Sequence, residues 1–499
     1  MWIIFVVVLC VIVIHHFWQK RDLYRLSWKM PGPFMIPFIG NVQTAVGISN
    51  EGLLRLVRDI LKNYESPSRW WLGTTMYVLV KSPEDLQTVL NSPHCLSRGF
   101  VYEFLRSFGG DGLVSLPAPE WKVHRKLLNP TFSLKILQTY VPIFNKEVKI
   151  LVNRFNDLVG QGATDIYTYM DALTLDVVCQ TTMGTEMHIQ KNQNIEYLEA
   201  GNNLLSIITT RMFNPLLQWD WLFKRTKIYR KEKKSSDITF GFVDKIIQRK
   251  KACFENPELL KEIQEDEMTL KTPQIYIDQL MKLLMVEKKF NEHDVVSEAN
   301  TIVATGFEST ALVSSYCILM LAMFPEHQER IYEEIKSIMP NKHDNVQYDD
   351  FSKYEFLERF IKETMRLFPS VPLIARTATA SFELGKYTIP KGANIVCAIG
   401  LMHRDRRVWG PTVDHFDPDH FLPENLEKIH PYGYLPFSGG PRNCIGIKYA
   451  YMFLKTILVY LVSNFKFRTD LKMHQLRHRM DITFKLINKH MVYVEKRDS

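Results

Sequence analysis

The eleven residues PFSGGPRNCIG, Pro436 to Gly446, constrain this chain more than any other stretch. Phe437, Gly440, Arg442, Cys444 and Gly446 fall in the pattern FxxGxRxCxG. Such a loop brings a thiolate to a metal while its glycines admit a closely packed planar cofactor. Backbone N–H groups from Ile445 onward, at the start of an expected helix, favour an anionic sulfur. Arg442 is near enough in sequence to pair with a cofactor carboxylate. A lone cysteine in a Gly-rich turn is more often an inert buried thiol. Five matched positions in so short a loop argue against that reading here. The other cysteines, at 10, 95, 179, 253, 317 and 397, are scattered with no CxxC pair. A disulfide framework and a paired-cysteine zinc site are therefore unsupported, and the expected compartment is reducing.

The body around the loop reads as helical. Apolar residues at three-to-four spacing mark Glu120–Leu128, Val148–Leu158, Asp237–Lys251, Asp294–Phe324, Pro325–Met339 and Asp349–Phe368. Short β-branched stretches lie at Met76–Val80 and between Phe382 and Val396, where ELGKY and TIPKG predict a hairpin with a Pro-Lys-Gly turn. The fold class is mainly α with a minor β-sheet. Motifs from Trp121 to Gly446, with no repeat or long linker, predict one large unit. A composition of 46% hydrophobic and 23% charged residues excludes a disordered or fibrous chain. The net charge of +8 fits an anionic membrane surface or an acidic partner protein and does not demand nucleic acid.

Trp2 to Ile14 is an unbroken apolar run, followed by His15, His16, Phe17 and Trp18. A helix from Trp2 to Trp18 is roughly 26 Å long, near the lower limit for crossing a bilayer. No positive segment precedes the run and no small-residue cleavage site follows it, which opposes a cleaved signal peptide. Lys20, Arg21, Arg25 and Lys29 follow it and place the rest of the chain in the cytosol. Residues 1–29 are thus expected to be a signal anchor. Residues 30–499 are the body, beginning with a stiff connector over 31–41 that contains Pro31, Pro33 and Pro37.

The cysteine loop resembles the haem-ligand signature of the cytochromes P-450, and the resemblance extends across most of the chain. It implies the cytochrome P-450 fold preceded by one transmembrane helix, with Cys444 as the iron ligand. Phe437 and Arg442 fall at cofactor-binding positions of the same motif. Glu363 and Arg366 match the family's ExxR pair, and in HFDPDHF the family's usual third-partner arginine is His420. The stretch GGDGLVSLPAPEWKVHRKLLNPTF is similar to family-4 members, which implies that Trp121 and Arg125 contact a haem propionate. Arg376 in PLIAR matches another propionate-pairing position.

TGFEST, Thr305 to Thr310, resembles the oxygen-side helix motif. It implies that Gly306 leaves room for dioxygen and that Glu308, Ser309 and Thr310 serve in catalysis as an acid and hydroxyls relaying protons through water. Family 4 often carries a glutamate where this chain has Thr305, so haem b is expected to be bound non-covalently.

The function implied is a membrane-bound monooxygenase hydroxylating lipophilic substrates such as fatty acids, hormones or xenobiotics. Phe100, Phe104, Phe307, Val371 and Leu373 are candidate pocket residues. No NADPH- or flavin-binding signature is apparent, so electrons from NADPH are expected through cytochrome P-450 reductase, with cytochrome b5 a further partner. Lys122, Lys126 and Lys448 are expected to steer the reductase. The implied location is the endoplasmic reticulum membrane, cytosolic face. In Asn214–Lys234, Trp219, Trp221 and Phe223 adjoin seven Lys or Arg residues, which fits either a solvated helix face or a second membrane contact. The alternatives are a reductase-independent haem-thiolate isomerase, which does not need Glu308 with Ser309, and a non-catalytic haem sensor. A further alternative uses Cys444 as a nucleophile, for which no base is identified.

Overall fold

A computed structural model describes residues 1–41, 50–214, 216–254 and 275–497. Pro215, within the aromatic and basic stretch, and the side chain of Cys253 lie outside the described residues.

A 32-residue helix, Glu292–Met323, runs through the centre of the body. It begins at a capping box in which Asn291 and Asp294 each accept the other's backbone N–H at 2.9 Å. Its apolar window is long enough to cross a membrane but is 83% buried, which makes it a core helix. It packs on the helices Tyr167–Met183 and Ile447–Asn464. A Cβ on Gly306 would lie 2.7 Å from Val178 Cγ2. Its missing side chain lets the neighbouring helix approach.

The expected helices are present with altered ends. Val148–Leu158 is the second half of Leu134–Asn156, which continues through Pro142. Buried Tyr140, Val141 and Phe144 flank that proline and offset the lost backbone bond. The Asp349–Phe368 pattern divides into a 3-10 turn at Tyr348–Asp350 and a helix over Glu355–Leu367. The main sheet has four strands in the order Ser68–Leu72, Thr75–Val80, Asn394–Cys397, Ile374–Thr377. The middle pair is parallel and the outer pairs antiparallel. The hairpin turn is a correction. Phe382–Leu384 pairs with Tyr387–Ile389 around Gly385 and Lys386. Gly385 takes φ +57, while Pro390–Gly392 instead leads the chain into Asn394–Cys397.

At the amino terminus, Trp2–Gln19 is an apolar helix with no buried residue. Residues 21–29, grouped with the anchor on sequence, form a separate helix packed on the body. Tyr24 stacks on Trp71 at 4.9 Å, and Trp71 Nε1 donates to Ser27 Oγ at 3.0 Å. The aromatic stretch divides in a similar way. Trp219 and Trp221 are exposed, whereas Phe223 is buried with the Arg211 guanidinium 4.1 Å from its ring centre.

Candidate functional site

The cysteine loop is closed by its own backbone, with Cys444 N–H donating to Phe437 O at 3.0 Å. Gly440 takes φ +69, and a Cβ there would lie 2.1 Å from Leu90 O, so the turn needs glycine. Phe437 packs on Tyr451 with ring centres 5.5 Å apart. Cys444 Sγ accepts the Gly446 N–H at 3.3 Å, immediately before the Ile447–Asn464 helix. Cys444 keeps accessible surface. Burial pushes its thiol up, and Gly446 N–H and the Arg125 guanidinium oppose that shift.

Four arginines gather beside the loop. Arg125 donates to Asn443 O at 3.0 Å and to Asn443 Oδ1 at 3.1 Å. Arg442 reaches the carbonyls of Leu96 and Leu116, its guanidinium 4.8 Å from the Trp121 ring centre. Arg376 comes from the edge strand Ile374–Thr377 and is 1% exposed. Arg98 lies against Tyr102 at 4.8 Å. Among the described residues, none of the four is ion-paired with a carboxylate. Burial, together with the charges of Arg98, Arg376 and Arg125, pulls Arg442 down to about 8. Burial and Arg98 pull Arg376 down to about 10. Arg98 Nε, Arg376 Nη2 and Arg442 Nε are buried donors with no partner among the described residues.

A buried cluster of like charges with unused donors calls for an anion. A porphyrin's two carboxylates match this donor set, and the accessible Cys444 sulfur beside it can take the iron, so the residues present fit haem. Arg98 belongs to no motif in the sequence and is recognised only when the chain is folded.

The oxygen-side residues separate. Thr305 is exposed in the mostly buried middle of the helix, and Ser309 is half-buried one turn later. Their hydroxyls bond back to Thr301 O and Thr305 O, each at 2.8 Å. Thr310 is buried and bonds to Gly306 O at 3.0 Å. Glu308 presents no free carboxylate. It meets Lys485 Nζ at 2.7 Å and accepts from Thr483 Oγ1 at 3.0 Å, both on the strand Thr483–Leu486. A carboxylate this deeply buried needs a counter-ion, and the carboxyl-terminal hairpin supplies one. Sequence spacing did not reveal Lys485. Phe100, Phe104 and Phe307 join one apolar cluster with the additional Phe108, which meets Phe307 at 6.4 Å. Val371 and Leu373 pack instead on clusters around the sheet.

The ExxR pair is fully buried. Arg366 Nε and Nη2 each donate to Glu363 at 2.7 Å. His420 Nδ1 lies 3.1 Å from Glu363 Oε1, so histidine occupies the third place. Arg366 Nη1 also donates to His403 O at 3.0 Å, and His403 Nε2 accepts Leu435 N–H at 2.8 Å just before the cysteine loop. Only an imidazole unprotonated at Nε2 can accept that bond. Burial and the charge of Arg366 hold His403 down to about 3, and burial does the same for His478 and His490. Unfolding returns these rings to ordinary pKa values near 6.5. Stability is therefore full above about pH 6.5 and falls toward about pH 3, by on the order of 1 kcal/mol per unit per histidine. Melting curves from pH 7 to 5 should show the fall. His403→Gln, whose side-chain oxygen can take the Leu435 N–H, should flatten part of it. A flat profile contradicts the assignment.

Residues 30–490 match the family model described as Cytochrome P450. The chain is similar to "Probable cytochrome P450 313a4" of Drosophila melanogaster, 34% identical over 99% of each chain. It is similar to "Cytochrome P450 4c21" of Blattella germanica, 33% identical over 96% of this chain and 94% of the relative. It is also similar to "Cytochrome P450 4g1" of Drosophila melanogaster, 30% identical over 98% and 93%.

Proposed function

The chain belongs to the cytochrome P450 family, a haem-thiolate monooxygenase, and from that premise we propose that it hydroxylates lipophilic substrates at the endoplasmic reticulum membrane with electrons from NADPH–cytochrome P450 reductase. The observation that carries the reading is the carboxylate-free arginine cluster, with its unused donors, beside the accessible sulfur of Cys444. In this reading Cys444 Sγ ligates iron, and the Gly446 N–H and Arg125 temper its charge. Arg98, Arg125, Arg376, Arg442 and Trp121 hold the haem carboxylates, while Phe437 supports the loop. Haem, when bound, supplies the dioxygen chemistry: one oxygen atom enters substrate and the other leaves as water.

The chain's own residues place water and protons. Thr305 and Ser309 keep accessible hydroxyls on the central helix that could hold water. When its contact with Lys485 opens, the Glu308 carboxylate would take a proton from water and pass it toward Ser309, returning to the carboxylate that pairs with Lys485. Thr310 supports the helix through Gly306 O. Phe104, Phe108 and Phe307 favour an apolar substrate. Thr305 has no carboxylate to esterify, so haem is released on denaturation. Exposed Lys122, Lys126 and Lys448 steer the acidic reductase, and cytochrome b5 uses the same face. The Trp2–Gln19 helix anchors the chain, with exposed Trp219 and Trp221 as a second lipid contact.

The test is turnover of long-chain fatty acids by the full-length holoenzyme in phospholipid vesicles. Product should require both reductase and NADPH. Lys122→Glu with Lys126→Glu should raise the reductase concentration for half-maximal rate about tenfold, as expected for two lost steering charges. Rearrangement of a lipid peroxide with no reductase favours the isomerase.

A further inference from the structure

Glu298 sits on the central helix two turns before Thr305 and is 0% exposed. Its carboxylate joins three other segments. Oε1 lies 2.7 Å from His124 Nδ1, and Oε2 accepts Leu113 N–H at 3.1 Å and Tyr276 O–H at 3.2 Å. The Phe290 ring covers the imidazole, with centres 4.4 Å apart. His124 lies on the Ala118–Leu128 helix, next to Arg125 and three residues after Trp121. The bond to Glu298 therefore sets the rotation of the helix that presents both.

Leu113 ends a glycine strap, Gly109 to Gly112, that lies directly on the central helix. A Cβ on Gly110 would be 2.6 Å from Ser297 Oγ, and one on Gly112 would be 2.2 Å from Thr301 Oγ1. Thr301 Oγ1 donates to Gly109 O at 2.6 Å. The strap follows directly from Phe104 and Phe108 in the apolar cluster. One carboxylate thus joins the helix that carries Trp121 and Arg125 to the strap beside the Phe104 and Phe108 cluster.

Apolar residues of similar size could fill this space with no loss of stability, because burying a carboxylate and its polar partners costs heavily in desolvation. What they would not supply is direction. A hydrogen bond from a fixed acceptor sets both distance and angle. We propose that His124 and Glu298 are positioning residues that hold Trp121 and Arg125 in register with the Gly109–Leu113 strap, so that the grip on the haem carboxylates depends on this buried pair. The proposal rests on the haem-binding reading of Trp121 and Arg125 given above.

The test uses the full-length holoprotein with His124→Phe, His124→Asn and Glu298→Gln. Haem transfer to excess apomyoglobin, the ferric–ferrous midpoint potential and the melting temperature are measured together. His124→Phe should release haem about ten- to a hundredfold faster, the loss expected for a charge-assisted bond, and should shift the potential. His124→Asn, whose amide N–H takes the place of Nδ1–H, should stay close to wild type in both. If His124→Phe does not fold, Glu298→Gln carries the comparison and should fall between the two. Equal release from wild type and His124→Phe overturns the proposal. So does release from His124→Asn as fast as from His124→Phe. A wild-type chain that takes up no haem overturns the functional reading and this inference with it.

Discussion

Arg366→Ala is expected to abolish accumulation of folded holoprotein. Arg366 and Glu363 are both 0% exposed, and the guanidinium uses all three nitrogens. Two bonds go to Glu363, and three go to the carbonyls of His403, Val413 and His415. Trp409 lies 5.0 Å from the guanidinium carbon. Truncation leaves the Glu363 carboxylate buried, with only Asp417 N–H at 2.9 Å and His420 as partners. Breaking a buried pair from one side costs roughly 3–5 kcal/mol. That is a large part of the about 5–15 kcal/mol that holds a domain folded. His403 and Leu435 connect this network to the cysteine loop, so haem uptake fails with it. Arg366→Lys keeps the charge but not the planar fork and should rescue little. The check is the ratio of Soret to protein absorbance after purification, with the melting temperature. Wild-type values for Arg366→Ala contradict the assignment.

Arg376→Met is expected to have opposite effects on the protein with and without haem. Arg376 is almost fully buried, its Nη2 has no partner among the described residues, and its one side-chain hydrogen bond among them is to its neighbour Ala375 O at 3.1 Å. Removing it relieves repulsion with Arg98 and Arg442 and ends the burial of a charge. The haem-free chain should melt higher than wild type. The holoprotein should bind haem more weakly by about 1.5–3 kcal/mol, or roughly ten- to a hundredfold, for a lost charge-assisted bond. Haem titration and melting of both forms give the two signs. A haem affinity equal to wild type removes Arg376 from the cofactor grip.

The local features were the legible ones. The Gly440 turn and the Cys444 loop are set by neighbours in sequence, and the apolar spacing of the central helix is set by its own turns. The ExxR partner His420 followed from a motif match, and the structure puts it 3.1 Å from Glu363. Features that depend on distant contacts were not legible. Lys485 reaches Glu308 across 177 residues of chain, and Arg98 meets Arg376 only through the fold. The contact of Gly306 with Val178 on the adjacent helix likewise depends on the fold. The hairpin turn was misplaced because Pro-Lys-Gly and Gly-Lys both signal a turn. Strand pairing chose Gly385, where φ is +57.

The central claim is a bond from Cys444 sulfur to haem iron. The most direct test is the absorption spectrum of the ferrous carbon monoxide complex, recorded for wild type and Cys444→Ala at equal haem loading. The account predicts the long-wavelength Soret band of thiolate ligation in wild type and its absence in Cys444→Ala. An imidazole-type band in wild type, or the thiolate band persisting in Cys444→Ala, contradicts it.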